Sequence, residues 1–148
     1  MNDPEALNTI SVSTDKSRLD IEVIHRFLFG SYWAEGVPIE VVRKSVENSL
    51  RFGVYDGESQ VGFARIISDF ATYAYLADVF ILESHRGRGL AKLLMKEIMN
   101  HPELQGLRRF ALATRDAHGL YRQFGFTELR KPESQMEIAR PGIYKQKT

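Results

Sequence analysis

Val79-Phe80-Ile81-Leu82-Glu83-Ser84-His85-Arg86-Gly87-Arg88-Gly89-Leu90-Ala91-Lys92-Leu93-Leu94 is the stretch that decides the fold. An apolar, strand-like segment runs through a cationic, glycine-spaced turn into an amphipathic helix. Glycines at 87 and 89 and the small Ala91 let the backbone approach a bulky anion, and the first helical turn leaves its N–H groups unpaired and pointing outward. Arg86, Arg88 and Lys92 stand at the positive end of the helix dipole, where each cation costs about 0.3–1 kcal/mol unless an anion is bound. A local rule broken three times in one turn points to a ligand site.

Working outward from this turn, the periodicity alternates between strand and helix. Upstream, 73–82 reads as a long apolar strand interrupted by Asp78, after a Ser68-Asp69 turn signal. Phe52, Val54 and Tyr55, the turn Asp56-Gly57-Glu58-Ser59, and Val61, Phe63, Ala64, Ile66 and Ile67 form a hairpin. Further back, Ile21, Ile24, Phe27 and Leu28 recur at helical spacing behind an Asp20 N-cap, with Gly30 and Gly36 ending the helix. A second helix opens with Pro38 at its first position and ends near Ser49, and residues 8–14 read as a short edge strand. Downstream, Leu90, Leu93, Leu94 and Ile98 give the helix after the turn an inward stripe, which Asn100-His101-Pro102 ends. Residues 109–114 then read as a buried strand, 117–124 as a short helix closed by Gly125, and 126–129 and 135–139 as final strands. This order mixes antiparallel hairpins with one right-handed crossover through 87–100. It predicts an α/β (mixed α+β) fold with a central mixed, mostly antiparallel sheet flanked by helices. The ligand crevice of such a sheet opens where neighbouring strands part, at the carboxyl end of the strand feeding the crossover helix.

Composition narrows the function. The 148 residues are 43% apolar and read as one domain, 1–148, with its core over about 8–140. Twenty Lys and Arg against nineteen Asp and Glu leave a net charge of +1, so no global field recruits nucleic acid or an anionic membrane. There is no cysteine, which removes disulfides, thiolate metal sites and a cysteine acyl-enzyme. The first twenty residues hold Asp3, Glu5 and Asp15 without an apolar segment, and no run of eighteen apolar residues occurs. A cytoplasmic protein, without membrane anchoring and without a metal, is the expectation.

Two phosphate motifs fail on inspection. A dinucleotide fingerprint needs a glycine where Lys92 stands, and a P-loop needs Lys-Ser or Lys-Thr after a longer loop. What is present, Arg86-x-x-Gly89-x-Ala91 between a strand and a helix, resembles the pyrophosphate loop of the acetyl-CoA-dependent GNAT N-acetyltransferases. Ala117-x-x-Leu120-Tyr121-x-x-x-Gly125-Phe126 resembles the family's second signature, and the element order over 8–139 is similar to theirs.

The resemblance implies acetyl-CoA as cosubstrate. The backbone of Gly87, Arg88, Gly89, Leu90, Ala91 and Lys92 would cradle its pyrophosphate, with charge from Arg86 and Arg88. The main chain of Phe80, Ile81 and Leu82 would pair with the pantetheine arm like an added strand. Thr114 stands where many members carry an asparagine that bonds this arm, and its hydroxyl is the substitute. Tyr121 takes the family role of general acid toward the departing thiolate; the competing reading is a tyrosine packed in the core.

A general base is not singled out by spacing. Asp78, whose burial in an apolar strand would raise its pKa, and the more solvent-facing Glu83 are both candidates, as is a water chain from either. Asp116 reads as an N-cap for the following helix. His85 and His118 read as surface or hydrogen-bonding residues rather than bases, since no orienting carboxylate accompanies them in sequence. Tyr32, Trp33, Phe70 and Tyr73 supply aromatic walls for the acceptor, with Glu35 and Asp69 as partners for a cationic amine; core packing or a dimer face accounts for the same residues equally well.

The resulting expectation is transfer of acetyl from acetyl-CoA to a primary amine, on a small molecule or peptide, by direct attack in a ternary complex. No Gly-x-Ser-x-Gly elbow or thiol offers an acyl-enzyme. A non-catalytic acyl-CoA-binding or sensing domain is the alternative, and a homodimer is compatible with either. A nucleic-acid module using Arg86, Arg88, Arg108, Arg109, Arg115 and Arg122 is opposed by the balanced net charge.

Overall fold

A computed structural model describes residues 9–145. In chain order the elements are β1 (Ile10–Ser13), α1 (Ile21–Phe29), α2 (Ile39–Glu47), β2 (Leu50–Asp56), β3 (Ser59–Ser68), β4 (Tyr73–Ile81), α3 (Leu90–Met99), β5 (Arg109–Leu112) and α4 (His118–Arg122), with single 3-10 turns between several of them. The five strands form one sheet in the order β1-β2-β3-β4-β5. The first four pair antiparallel and β5 lies parallel to β4, the pairing that the crossover through α3 requires. The expected mixed, mostly antiparallel sheet is therefore present. Asn8, at the start of the expected first strand, lies outside the described residues.

Each face of the sheet carries its own core. On one side Leu90, Leu94, Met95 and Ile98 of α3 pack against Val54, Ala64, Ile66, Ala74, Leu76 and Ile81. Leu94, Met95 and Ile98 are fully buried, which is where the 3.6-residue stripe of α3 goes. On the other side Ile24 and Leu28 of α1 and Val42 and Val46 of α2 close over Phe63 and Phe80. The Asp20 carboxylate accepts the Val23 N–H at 3.2 Å and caps α1 as its sequence position predicts. Pro38 occupies the N-cap of α2 rather than its first helical position.

Three sequence expectations fail towards the carboxyl end. β5 stops at Leu112, two residues early, and α4 spans only His118–Arg122. The segments 126–129 and 135–139 form no strands, because no neighbouring backbone among the described residues pairs with them. Alternating polarity marks a segment that fits a sheet without supplying the partner.

The centre of β4 contains the irregularity that shapes the crevice. Phe63 pairs with Phe80 but Arg65 pairs with Ala77, so β4 carries one extra residue between them. Asp78 within this bulge has φ of +56°, in the left-handed region that L-residues rarely adopt. The extra residue reverses the inside and outside of the strand. Ala74 and Leu76 face the α3 core, whereas Phe80, four residues past Leu76, faces the α1/α2 core and Ile81 returns to α3. The strand also bends there. β5 pairs with β4 only over Tyr73 to Leu76, so from Ala77 onward the edge of β4 that faces β5 is open. The two parallel strands splay apart.

Candidate functional site

A cavity of about 1070 Å³ fills the splay. Its floor is Val79 to Ile81 of β4 with Leu82, one wall is the turn His85 to Gly87 with Gly89 and the Leu90 to Lys92 start of α3, the second is Phe27 of α1 with Gly30 to Trp33 after it, and the far end is Arg115 to Ala117 with Leu120 and Tyr121.

The turn leaves its backbone open to the cavity. Gly87 and Gly89 have φ of +80° and +76°, and a Cβ at either would meet no protein atom within 4 Å. The glycines therefore serve the backbone conformation and leave clear space in front of it. Gly89 is the N-cap of α3 and provides no capping side chain, and the N–H groups from Gly87 to Lys92 find no acceptor among the described residues. A row of bare amides at the positive end of a ten-residue helix fits a pyrophosphate. Arg86 is fixed beside them, its Nε donating to the Ile81 carbonyl at 3.0 Å. Arg88 departs from expectation: it does not line the cavity, and its charge acts instead on the Asp56 carboxylate.

His85 holds this turn to the sheet. Its Nε2 lies 2.9 Å from Asp56 Oδ2 at the end of β2, and its Nδ1 lies 2.8 Å from Ser84 Oγ. Asp56 also accepts from the Thr9 hydroxyl. Together the Thr9 and His85 bonds hold the Asp56 carboxyl below its ordinary range. The carboxylate partner absent from the sequence reading of His85 is thus 29 residues away, where no spacing rule reaches it.

Hydrogen-bond alternation decides which β4 groups face the splay. Leu82 N–H donates to the Val61 carbonyl at 2.8 Å, so Leu82 and, two residues earlier, Phe80 direct their main-chain groups at β3. Ile81 between them directs its groups the other way, into the cavity. Of the expected trio Phe80, Ile81 and Leu82, the ladder leaves only Ile81 free to pair with a ligand backbone. Phe80 contributes its ring instead, stacked on Phe27 at 4.0 Å.

Asp78 is committed. Its Oδ2 accepts Arg65 Nε and its Oδ1 accepts the Trp33 indole N–H, both at 2.9 Å, and it does not line the cavity. The residue expected to serve as a base is instead a tie between the bulge and the aromatic wall. Glu83 lies exposed in the 3-10 turn after β4.

The aromatic expectations divide. Tyr32 and Trp33 line the cavity, packed edge to face at 5.0 Å. The Arg115 guanidinium lies 3.9 Å over the Tyr32 ring and the Arg115 N–H reaches the Tyr32 hydroxyl at 3.3 Å, so this pair roofs the crevice from both sides. Phe70 and Tyr73 are elsewhere. Tyr73 begins β4 eight residues before Ile81, roughly 26 Å away at about 3.3 Å per residue. Phe70 is exposed in the β3–β4 turn. Asp69 is consumed by that turn, accepting the Ala71 and Thr72 amides and the Thr72 hydroxyl, which hold its carboxyl well below the usual range. Glu35 pairs with Lys145 at 3.5 Å. Neither is free for an amine.

Tyr121 closes the far end of the cavity. It is 8% exposed, packs against Phe126 at a ring distance of 6.1 Å, and its hydroxyl has no partner among the described residues. Burial first, then the neighbouring Tyr32 and Asp116, raise its pKa above the ordinary 10, so the phenol keeps its proton at neutral pH. Thr114 lies after β5 and does not line the cavity; its hydroxyl accepts the Ala117 N–H at 3.0 Å, and neither it nor Asp116 caps α4, whose N-cap is Ala117 with no side-chain hydrogen bond. Asp116 is exposed and is the one carboxylate lining the cavity among the described residues.

Known proteins are similar to this chain in sequence and in fold. The family model described as the acetyltransferase (GNAT) family matches residues 19–126. A curated Gibberella zeae protein, described as a candidate acetyltransferase, is 31% identical over 144 residues, covering 81% of this chain and 80% of its own length. The crystal structure of a candidate GNAT acetyltransferase from Xanthomonas campestris pv. campestris is 54% identical and superimposes with a TM-score of 0.91, over 93% of this chain and 97% of that one. At 15% identity, a Clostridium acetobutylicum acetyltransferase crystallised with acetyl-CoA shares the fold, with a TM-score of 0.64 over 88% of this chain and 96% of its own. Splayed strands, a bare-amide turn and these matches have one reading, and the chain belongs to the GNAT acetyltransferase family.

Proposed function

We propose that this protein transfers the acetyl group of acetyl-CoA to a primary amine, by direct attack of the amine while both substrates are bound. The observation that carries this reading is one cavity joining the bare amides of Gly87 to Lys92, the open β4 edge at Ile81 and the unpartnered Tyr121 hydroxyl. Acetyl-CoA supplies an activated acyl group and a good leaving thiolate.

The chain's own residues do the rest. The turn amides, Arg86 and the first turn of α3 bind the pyrophosphate and fix the register of the whole coenzyme. Ile81 offers an N–H and a carbonyl to the pantetheine arm, as an edge strand does to an added one. This alignment sets the acyl carbonyl in the gap between β4 and β5, where the outward Ile81 N–H is the nearest preorganised donor for charge developing on its oxygen. Tyr121 holds its proton until a thiolate forms and donates it there, in a site that Tyr32 and Arg115 partly cover. Trp33, held by Asp78, and Tyr32 form the wall that the amine passes. Asp116 supplies the counter-charge for an arriving ammonium, which gives a proton to solvent water before its nitrogen lone pair attacks; the second nitrogen proton, lost as the C–S bond breaks, balances the one Tyr121 gives to the thiolate.

Thiol release from acetyl-CoA, measured against a library of primary amines, tests the reading. The parent is expected to release thiol with at least one amine. Gly89→Val, whose side chain enters the space before the amides at φ +76°, is expected to lose that release through weakened coenzyme binding. Equal coenzyme affinity in parent and variant would refute the assignment of the turn.

A further inference from the structure

The cavity carries more positive charge than a pyrophosphate at the turn accounts for. Arg26 of α1, Arg86, Lys92 and Arg115 line it, opposed among the described residues by one carboxylate, Asp116. A pyrophosphate answers Arg86 and Lys92 beside the bare amides. Arg115 stands at the other end, next to Asp116 and with Tyr121 close by, where the acceptor meets the acyl group.

Polar atoms at that end are left without partners among the described residues. The Arg115 guanidinium lies over the Tyr32 ring at 3.9 Å, and no acceptor takes its side-chain N–H groups, since the Asp116 oxygen at 4.0 Å is beyond hydrogen-bond range. The Tyr32 hydroxyl accepts the Arg115 backbone N–H at 3.3 Å and keeps its own proton to give. Asp116 takes no hydrogen bond, and its charge, like Tyr32, acts on the Tyr121 phenol, so these groups converge on the reacting end. Trp33 is different, because its N–H is already spent on Asp78.

Each free group selects a chemistry. A guanidinium stacked on a ring is a planar fork held in place, matched to the two oxygens of a carboxylate. The Tyr32 O–H adds a donor from the facing wall. Asp116 attracts a cation instead. Neighbours in the chain, Arg115 and Asp116 present opposite charges side by side, the complement of a molecule whose ammonium and carboxylate sit on one carbon. Phe27, Trp33 and Leu120 give its side chain an apolar wall.

Resting on the acetyl-transfer reading, we propose that the acceptor is an amino acid, its carboxylate on the Arg115 guanidinium and the Tyr32 hydroxyl and its ammonium at Asp116 beside Tyr121. Acetylation forms the C–N bond as the C–S bond breaks, with the protons moving as for any amine in this site. The product is a neutral amide that Asp116 no longer holds.

Thiol release from acetyl-CoA is measured with the common L-amino acids, each beside its amide and its decarboxylated amine. The parent is expected to favour at least one amino acid over both. The Arg115 and Asp116 side chains are 64% and 73% exposed, so water screens the contact and the KM advantage is about tenfold. Arg115→Gln is expected to lower the ratio of kcat/KM for the acid over that for its amide by about tenfold, and Arg115→Glu to reverse the preference. Comparing that ratio between parent and variant cancels the different basicities of the two amines. A melting profile equal to that of the parent checks the fold. Release with amides and simple amines but with no amino acid overturns the proposal, as does a ratio indifferent to Arg115, and either leaves acetyl transfer standing. Silence with every amine overturns both.

Discussion

Replacing Asp78 by alanine and, separately, by glycine isolates the backbone strain that opens the crevice from the ion pair that stabilises it. Both substitutions remove the carboxylate from Arg65 and Trp33. The two charged side chains are only 16% and 10% exposed, so losing one partner leaves a guanidinium that water reaches poorly. At the lower end of the range for broken buried pairs, this costs about 3 kcal/mol in either variant. The backbone then separates them. Alanine, like Asp78 itself, keeps a Cβ at φ +56° and so retains a strain of about 1–2 kcal/mol, whereas glycine relieves it and gives back only about 0.5–1 kcal/mol through greater freedom in the unfolded chain. Glycine is therefore expected to be the more stable variant by roughly 0.5–1 kcal/mol, the reverse of the usual order within a strand. At about 2–4 °C per kcal/mol for a chain of this size, its Tm should lie about 1–4 °C above that of alanine, with both well below the parent. Urea unfolding monitored by circular dichroism measures the difference directly. If alanine equals or exceeds glycine, Asp78 is not in the left-handed region, and the bulge cannot be what turns β4 away from β5.

Tyr121→Phe keeps the ring against Phe126 and removes the hydroxyl; kcat is expected to fall by about 10²–10⁴-fold while coenzyme affinity measured by calorimetry stays near the parent value. An unchanged kcat would assign Tyr121 to packing alone. Asp69 has its pKa lowered by the turn it caps, so its stabilisation is complete above the ordinary carboxylate value and is lost as pH falls through the lower, folded value. The stability gap between the parent and Asp69→Asn, followed by thermal unfolding, is accordingly expected to be widest near neutral pH and to shrink below about pH 4. A gap that widens on acidification would contradict the sign.

The parts of the site legible in the sequence are the local ones. Gly87, Gly89 and the helix from Leu90 act within one turn of chain, so their spacing alone marks the turn with bare amides that the structure contains. Tyr121 is singled out by the resemblance of residues 117–126 to the family's second signature, which is also local. What sequence could not show depends on partners brought together by the sheet. Asp78 reads as a stray charge in an apolar strand until Arg65 and Trp33, 13 and 45 residues away, arrive on its two oxygens. His85 looks unoriented until β2 delivers Asp56. The ladder phase that leaves Ile81 outward and turns Phe80 and Leu82 inward is fixed by Val61, not by any property of those three residues. The strands expected at 126–129 and 135–139 failed for a related reason, since polarity alternation specifies a strand's faces but not the neighbour it needs.

No helix among the described residues is long and apolar enough to cross a membrane, and the family places the chain among acetyltransferases. The central claim is narrower: the amides from Gly87 to Lys92 grip a pyrophosphate. A 15N–1H correlation titration with coenzyme A, repeated with pantetheine lacking the nucleotide, tests it residue by residue. The account predicts that coenzyme A shifts the Gly87, Gly89 and Ala91 amides strongly and that pantetheine leaves them nearly unmoved. Saturable binding of coenzyme A with those three amides unmoved, and the shifts gathered elsewhere, would contradict it.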